Sequence, residues 1–360
     1  MEEKGIKKAK RVVKEHWLTV SFFFGFLNDF ILLNGVDDVF DNIILFMYVS
    51  LAATSLLLFY AGVAQKAPFG WSSKFVKYMP LLMQYSFGGV LSGIFIFYGR
   101  SGGWFTNAPF LILIGLVIFT NEFVKKRADR VVYQLSLFFI GLFAYCVLIV
   151  PVLSGKMGDW IFVISGIIAL LIVSMIVRTL YNIVPNFMSL NIKPIILSLG
   201  AVFVGFNILY FTNLIPPIPL SLTGLEIAQA VSRTEAGGYR VTYEDVPWWQ
   251  KLPLVREEIH PTRSSISCFS RVFAPTRLTT TIYHNWEFKN KDGNWQSHSR
   301  IGYPIAGTNR GGYRGYTYIT SYTDGVWRCS VETERGQVLG RKVFEVNTVD
   351  AARNVVTRIE

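Results

Sequence analysis

Few residues in this chain have the type and setting to do chemistry, and the first of them lie in an apolar stretch. Asn28 and Asp29 sit well inside a hydrophobic run. A carboxylate held among hydrocarbon is costly, so an acid at that depth is either put to use or locked by hydrogen bonds. Put to use, Asp29 is a proton or cation relay, with Gln84 and Asn207 as polar neighbours from other runs. Locked, it ties helices together. Transporters tend to carry more than one such acid, or helices interrupted at matching places in two halves, and neither pattern stands out here. Asp37, Asp38 and Asp41 follow as an acidic cluster. Oxygen ligands this close suit a divalent cation, but a calcium site asks for about six to eight of them and a glycine-bearing loop. The plainer reading is an acidic loop, and no metal is expected.

A second set lies near the C-terminus. Cys268 and Cys329 each fall among apolar residues of a strand pattern, with Trp286 between them. The order resembles the cysteine–tryptophan–cysteine arrangement of immunoglobulin sandwiches. A bridge is permitted outside the cytoplasm. It requires Cα atoms within about 7 Å, a property of the fold and not of spacing, so bridged and free cysteines both stand. Cys146 lies in a hydrophobic run as a packing residue. Three cysteines are too few for a disulfide scaffold or a zinc site. His284, Trp286, Arg310, Arg314 and Tyr316 could form a face for an anionic or sugar ligand, since arginine forks suit carboxylates and phosphates. Against this, His284 alternates with Ile282 and Phe288, the setting of a satisfied core histidine. Arg314 on a tyrosine-rich strand suits stacking as well as binding. No serine-nucleophile, paired-carboxylate or phosphate-loop pattern is convincing, and no cofactor motif is present.

The elements that would position these residues are of two kinds. The first 215 or so positions hold apolar runs near the length that crosses a bilayer of about 30 Å. Seven are predicted: Trp17–Asn34, Ile43–Val63, Met79–Tyr98, Trp104–Thr120, Val131–Leu153, Trp160–Tyr181 and Ile195–Leu214. The fourth is the shortest and contains Pro109. A re-entrant fourth segment would reverse the sidedness of everything after it. Residues 1–16 form a basic tail with Lys4, Lys7, Lys8, Lys10, Arg11 and Lys14. No small-residue cleavage site closes the run behind it, so the first span is read as uncleaved.

The net charge is +11. Anionic lipid head groups and orientation signals account for it more simply than nucleic acid, which is not an expected partner. Basic residues alternate along the loops. The tail is rich, Gly35–Asn42 has none, the next loop holds Lys66, Lys74 and Lys77, and the third holds Arg100. Lys125, Lys126, Arg127 and Arg130 crowd the fourth, Lys156 is alone in the fifth, and Arg178 and Lys193 flank the sixth. By the positive-inside rule the N-terminus is cytoplasmic, and an odd number of spans puts the C-terminal part in the periplasm.

Behind the last run comes a proline brake, Ile215-Pro216-Pro217-Ile218-Pro219. Residues 216–263 read as an irregular connector with one short strand, Tyr239–Tyr243, and a Trp248-Trp249 pair for the membrane interface or the β core. Residues 264–347 give short strands at close intervals: Ile266–Phe273, Leu278–Phe288, Trp295–Ile305, Tyr313–Tyr322, Val326–Thr333 and Val338–Val346. Glycine turns separate several of them, which predicts a sandwich or small barrel. Residues 348–360 read as a frayed tail or short helix.

The block Cys268–Val346 resembles a bacterial family catalogued as domain of unknown function 2914. The residues that carry the resemblance are Val272-Phe273-Ala274-Pro275, His284-Asn285-Trp286, Gly312-Tyr313-Arg314-Gly315-Tyr316, Gly325-Val326-Trp327-Arg328 and Gly336-Gln337-Val338-Leu339-Gly340-Arg341. It implies a small β domain on a bacterial membrane protein and brings no activity with it.

The expected architecture is thus a seven-helix α-helical polytopic membrane bundle, residues 17–215, followed by a small all-β sandwich-like domain. The leading expectation for function is a non-catalytic binding or interaction module of the inner membrane. Its β domain would meet an envelope protein or glycan, with membrane lipid around the helices. A transporter or ion pathway through Asp29 is the alternative, and a membrane enzyme at the outer helix ends near Asp37 and Asp38 is the third.

Overall fold

The structure, a computed structural model, describes residues 39–66, 76–100, 127–215, 219–235, 237–245, 256–261, 265–275, 278–307, 312–348 and 354–360, and single positions or short pieces at 24, 27–29, 33, 108, 112, 115 and 116. It divides into two compact units that meet in sequence at Ile215 and Pro216. The first is helical and the second carries the strands.

Five helices among the described residues are long and apolar enough to cross a membrane. They are α1 Val39–Val63, α2 Met79–Arg100, α3 Arg127–Ser154, α4 Asp159–Ile183 and α5 Pro185–Phe211. Each rises about 1.5 Å per residue, so about 20 residues match the hydrocarbon thickness, and all five exceed that. They correspond to the second, third, fifth, sixth and seventh predicted runs. The first and fourth, Trp17–Asn34 and Trp104–Thr120, lie outside the described residues except at isolated positions, so the described chain carries five such helices and not seven.

α3 is the packing centre of this unit. The Phe143 ring lies 4.6 to 5.8 Å from the rings of Phe139, Phe162, Phe203 and Phe206. Gly166 of α4 admits it, because a β-carbon there would stand 2.7 Å from the ring. α4 and α5 form an antiparallel hairpin with Val184 between them. Its open end is closed by Phe162 stacked on Tyr210 at 3.8 Å and by the Tyr210 hydroxyl donating to Asp159 Oδ1 at 3.2 Å. At the turn, Lys66 Nζ donates to Ile183 O at 3.0 Å, a cation on the last carbonyls of a helix. The stretch before Ile195 was predicted as a boundary, but α5 starts at Pro185. Proline suits the first helical position. Pro194 is carried inside α5, as membrane helices tolerate. The outward positions Leu171, Met175, Leu190 and Leu197 are exposed and apolar. Helices apolar all round belong in lipid or in a core.

The second unit has three sheets. The strands are β1 Ser221–Ala228, β2 Ala230–Arg233, β3 Tyr239–Glu244, β4 Glu257–Ile259, β5 Ile266–Phe273, β6 Thr279–Lys289, β7 Trp295–Ala306, β8 Tyr313–Ile319, β9 Gly325–Thr333, β10 Val338–Val346 and β11 Val355–Ile359. A sheet of order β1-β5-β8 faces a sheet of order β4-β10-β9-β6-β7. Their common core holds Ile227, Ile266, Trp286, Ile319, Trp327 and Phe344. The third sheet, β11-β3-β2, covers the other side of the first one, where Val241 packs on Ala228 and Phe269. β5 is therefore buried on both faces along most of its length.

Two expectations change here. The 216–263 segment holds β1 to β4, not one strand in an irregular connector. Residues 348–360 do not end as a frayed tail or helix, because β11 pairs antiparallel with β3, Val355 opposite Glu244 and Ile359 opposite Arg240. In both cases the partner is distant in sequence. β1 pairs with β5, Ile227 opposite Cys268, and β4 lies parallel to β10, Ile259 opposite Val346. Local alternation cannot announce such pairings. Trp248 and Trp249 lie outside the described residues.

Candidate functional site

The centre of the β unit is a polar cluster inside an apolar core. It arises where β5, β6, β7 and β8 each turn one polar side chain inward. His284 of β6 is 0% exposed. Its Nε2 is 2.9 Å from Ser270 Oγ of β5 and 3.2 Å from the Tyr303 hydroxyl of β7. Its Nδ1 is 2.9 Å from Thr317 Oγ1 of β8. The Trp286 indole Nε1–H donates to the same Thr317 oxygen at 3.0 Å, and Ser270 and Tyr303 share a 2.6 Å bond. Buried polar atoms are costly unless paired, and here each ring nitrogen has a hydroxyl. Beside them Cys268 of β5 and Cys329 of β9 are joined by a disulfide, with Cα atoms 6.6 Å apart. The bridge staples the two facing sheets.

The chemistry open to this cluster follows from its burial. Burial pushes the His284 imidazole down to about 3, far below the usual histidine range. A ring that stays neutral at such low pH is a feeble general base. Ser270 is buried as well, so no substrate reaches its oxygen. The Tyr303 hydroxyl is likewise pushed up by burial. Serine, histidine and tyrosine lie within bonding distance, yet they form a sealed framework and not a nucleophile pair.

The predicted ligand face does not assemble. His284 and Trp286 lie between the two sheets, while Arg314 and Tyr316 point to the opposite side of β8. There Tyr316 meets Tyr239 of the third sheet edge-on at 5.9 Å. Strand alternation separates them: position 317 faces in, so 314 lies on the side away from 317 together with 316 and 318. Arg310 lies outside the described residues. The open side of the five-stranded sheet is instead a mesh of paired charges, which the sequence did not single out. Arg328 forks onto Glu287 at 2.5 and 2.6 Å and lies 4.3 Å from the Trp295 ring centre. Arg300 covers the Tyr283 ring at 3.9 Å and reaches Glu332 at 3.5 Å.

In the helical unit, Asp29 is 0% exposed. The Tyr48 hydroxyl of α1 donates to its Oδ1 at 2.7 Å, and Ser92 Oγ of α2 donates to its Oδ2. Gly89 makes room, since a β-carbon there would stand 2.6 Å from the Tyr48 ring. One carboxyl thus ties the helical residues 27–29 to α1 and α2. Asn28 is partly buried beside it and Gln84 partly buried on α2. Asn207 donates to Phe203 O of its own helix at 2.8 Å. Asp41, expected in an outer loop with Asp37 and Asp38, lies in the first turn of α1 and is buried, where a carboxylate complements the helix dipole. Asp37 and Asp38 lie outside the described residues. Replacing Asp29 by Asn keeps one acceptor for Tyr48, and the expected loss is below about 1 kcal/mol. Asp29→Ala removes the acceptor that Tyr48 and Ser92 share, and the expected loss is about 2–3 kcal/mol. Thermal melts of the detergent-solubilised chain separate the two outcomes.

Residues 279–346 match a family described as "Protein of unknown function (DUF2914)". The matched span runs from β6 to the end of β10, and so contains His284, Tyr303, Thr317 and Cys329 but neither Ser270 nor Cys268. No curated protein matches the chain. Among solved structures, an alkylpurine DNA glycosylase, AlkC of Pseudomonas fluorescens bound to DNA with an abasic site analog, is 11% identical. The match covers 88% of this chain and 100% of that one at a TM-score of 0.20, which supports no shared fold.

Proposed function

We propose that this chain is a multi-pass protein of the bacterial inner membrane that holds its β unit in the periplasm as a non-catalytic binding module for a protein or glycan of the envelope. The observation that carries the reading is the Cys268–Cys329 bridge at the centre of the β core. Such bridges persist in oxidising compartments and are rare in the cytosol. The hairpin supports the same orientation. Lys66 sits on its turn, and the exposed Arg178 and Lys193 flank Val184. A basic end of this kind favours the cytoplasmic side, and α5 then leads outward to the β unit. Seven spans complete the arrangement, two of them outside the described residues. The seal around Ser270 and His284 supports this reading, since it leaves that cluster closed to a substrate.

Sidedness tests this directly. Asp292 lies in the exposed turn between β6 and β7. With Cys146→Ala removing the free thiol, Asp292→Cys is expected to react with an impermeant maleimide while the inner membrane is intact. Reaction only after that membrane is breached would put the β unit in the cytoplasm and end the proposal. The binding role is tested by in-cell crosslinking from the same position, with adducts expected to vanish on Arg328→Glu.

A second reading, an ion pathway through Asp29, draws on the burial of that carboxyl among helices. Both its oxygens are taken by hydroxyls, which favours a lock. Ion flux in vesicles that disappears in a folded Asp29→Asn protein would reverse that preference.

A further inference from the structure

Within the β core, the bridge cysteines and His284 form a ligand set beyond the binding role above. Cys268, His284 and Cys329 are fully buried, and one ligand atom from each lies within 4.8 Å of the others. Among the described residues no other group of three such side chains is this close. We propose that, once the bridge is opened, these three side chains bind one zinc-like divalent ion, so that the facing sheets can be stapled by either a disulfide or a metal.

The geometry needs little change. Zinc binds sulfur at about 2.3 Å and histidine nitrogen at about 2.0–2.1 Å, which in a tetrahedron puts the ligand atoms about 3.5–3.8 Å apart. The three atoms lie within 4.8 Å of one another while the sulfurs are still bonded, so the sulfurs must part once the bridge opens. They come from β5, β6 and β9, all within the sheet framework. Charge also favours the ion. Two thiolates and a divalent cation sum to zero, whereas a lone thiolate is expensive in this apolar core. Whichever ring nitrogen binds, the other keeps its hydroxyl partner, Ser270 or Thr317. That is the outer hydrogen bond that orients a ligating histidine.

The step balances. A dithiol supplies two electrons and two protons to the bridge, giving two cysteine thiols and its own disulfide. Binding then releases both thiol protons to water as the thiolates take the ion. Every chain passes through the reduced state before its bridge forms, so the ligand set exists at least then.

The test uses the full-length Cys146→Ala protein in detergent, reduced with a phosphine and titrated with cobalt(II). The expected result is one cobalt per chain, with a thiolate charge-transfer band and visible bands of tetrahedral intensity, abolished by zinc and absent from the oxidised protein. Zinc is also expected to raise the melting temperature of the reduced chain and leave that of the oxidised chain unchanged. His284→Gln should lose the tetrahedral spectrum while its oxidised form still melts cooperatively. A reduced chain that stays folded yet gives no charge-transfer band overturns the proposal. So does a reduced chain that unfolds and is not restored by zinc, or a spectrum that survives His284→Gln.

Discussion

Cys268→Ala with Cys329→Ala is expected to cost the β unit about 4 kcal/mol. The bridge closes a loop of 61 residues, and the loop-closure entropy removed from the unfolded chain at that length is about 4 kcal/mol at room temperature. The native side adds a smaller penalty. Each sulfur fills space in a core that contains Trp286, Trp327 and Phe344, and alanine leaves a gap there. The measurement is urea denaturation of the full-length protein in detergent, followed by the fluorescence of these buried tryptophans. A shift below about 1 kcal/mol would mean that the facing sheets hold together by packing alone. The loss of the bridge would then say little about the compartment in which the unit works.

The second large effect is a pH dependence. Burial holds the His284 imidazole down at about 3 in the folded protein, against about 6.5 for an ordinary histidine. Between those values the unfolded chain holds a proton that the folded chain refuses. Stability is therefore full above about pH 6.5 and falls as pH drops through the window toward 3. At 1.36 kcal/mol per unit the contribution is about 5 kcal/mol. Glu332 works in the opposite direction, since burial raises its carboxyl, so the readout is the difference between wild type and His284→Gln. The amide of glutamine can still serve Ser270 or Thr317 but does not titrate. The variant is expected to be less stable at pH 7 and to lose less on going to pH 4. Parallel curves for the two proteins would show that His284 takes up its proton without opening the core.

The strands between Ile266 and Val346 were legible because each alternates and most end on a turn. Gly336 is an example: it takes a φ of 81° and its N–H bonds back to Thr333 O at 2.9 Å, closing the β9–β10 hairpin. Predicted and observed bounds coincide for β5 and β10 and differ by one residue at each end for β6. β1, β4 and β11 were not legible, because their hydrogen bonds go to β5, β10 and β3, far along the chain. The first turns of α5 were hidden by their own polarity. Asn191 reads as loop, yet its amide donates to Phe187 O one turn back at 2.8 Å. At the centre of the β unit, alternation with Ile282 and Phe288 pointed to a core position for His284. Its partners Ser270, Tyr303 and Thr317 stand on three other strands, and only the pairing of sheets brings them to one ring.

The position of β11 has a consequence for the order in which the β unit can fold. Glu360 is bonded in both directions to Tyr239, and its carboxylate meets Arg271 at 3.0 Å. β3 is therefore synthesised more than a hundred residues ahead of the strand that flanks it, as β1 precedes β5 and β4 precedes β10. Until those later strands arrive, β1, β3 and β4 have open edges and unsatisfied backbone groups, the kind that pair with whatever is near. The early half of the unit must therefore wait for the late half. The interval before β11 docks is when a holding chaperone, or a misplaced neighbour, has the most to grip.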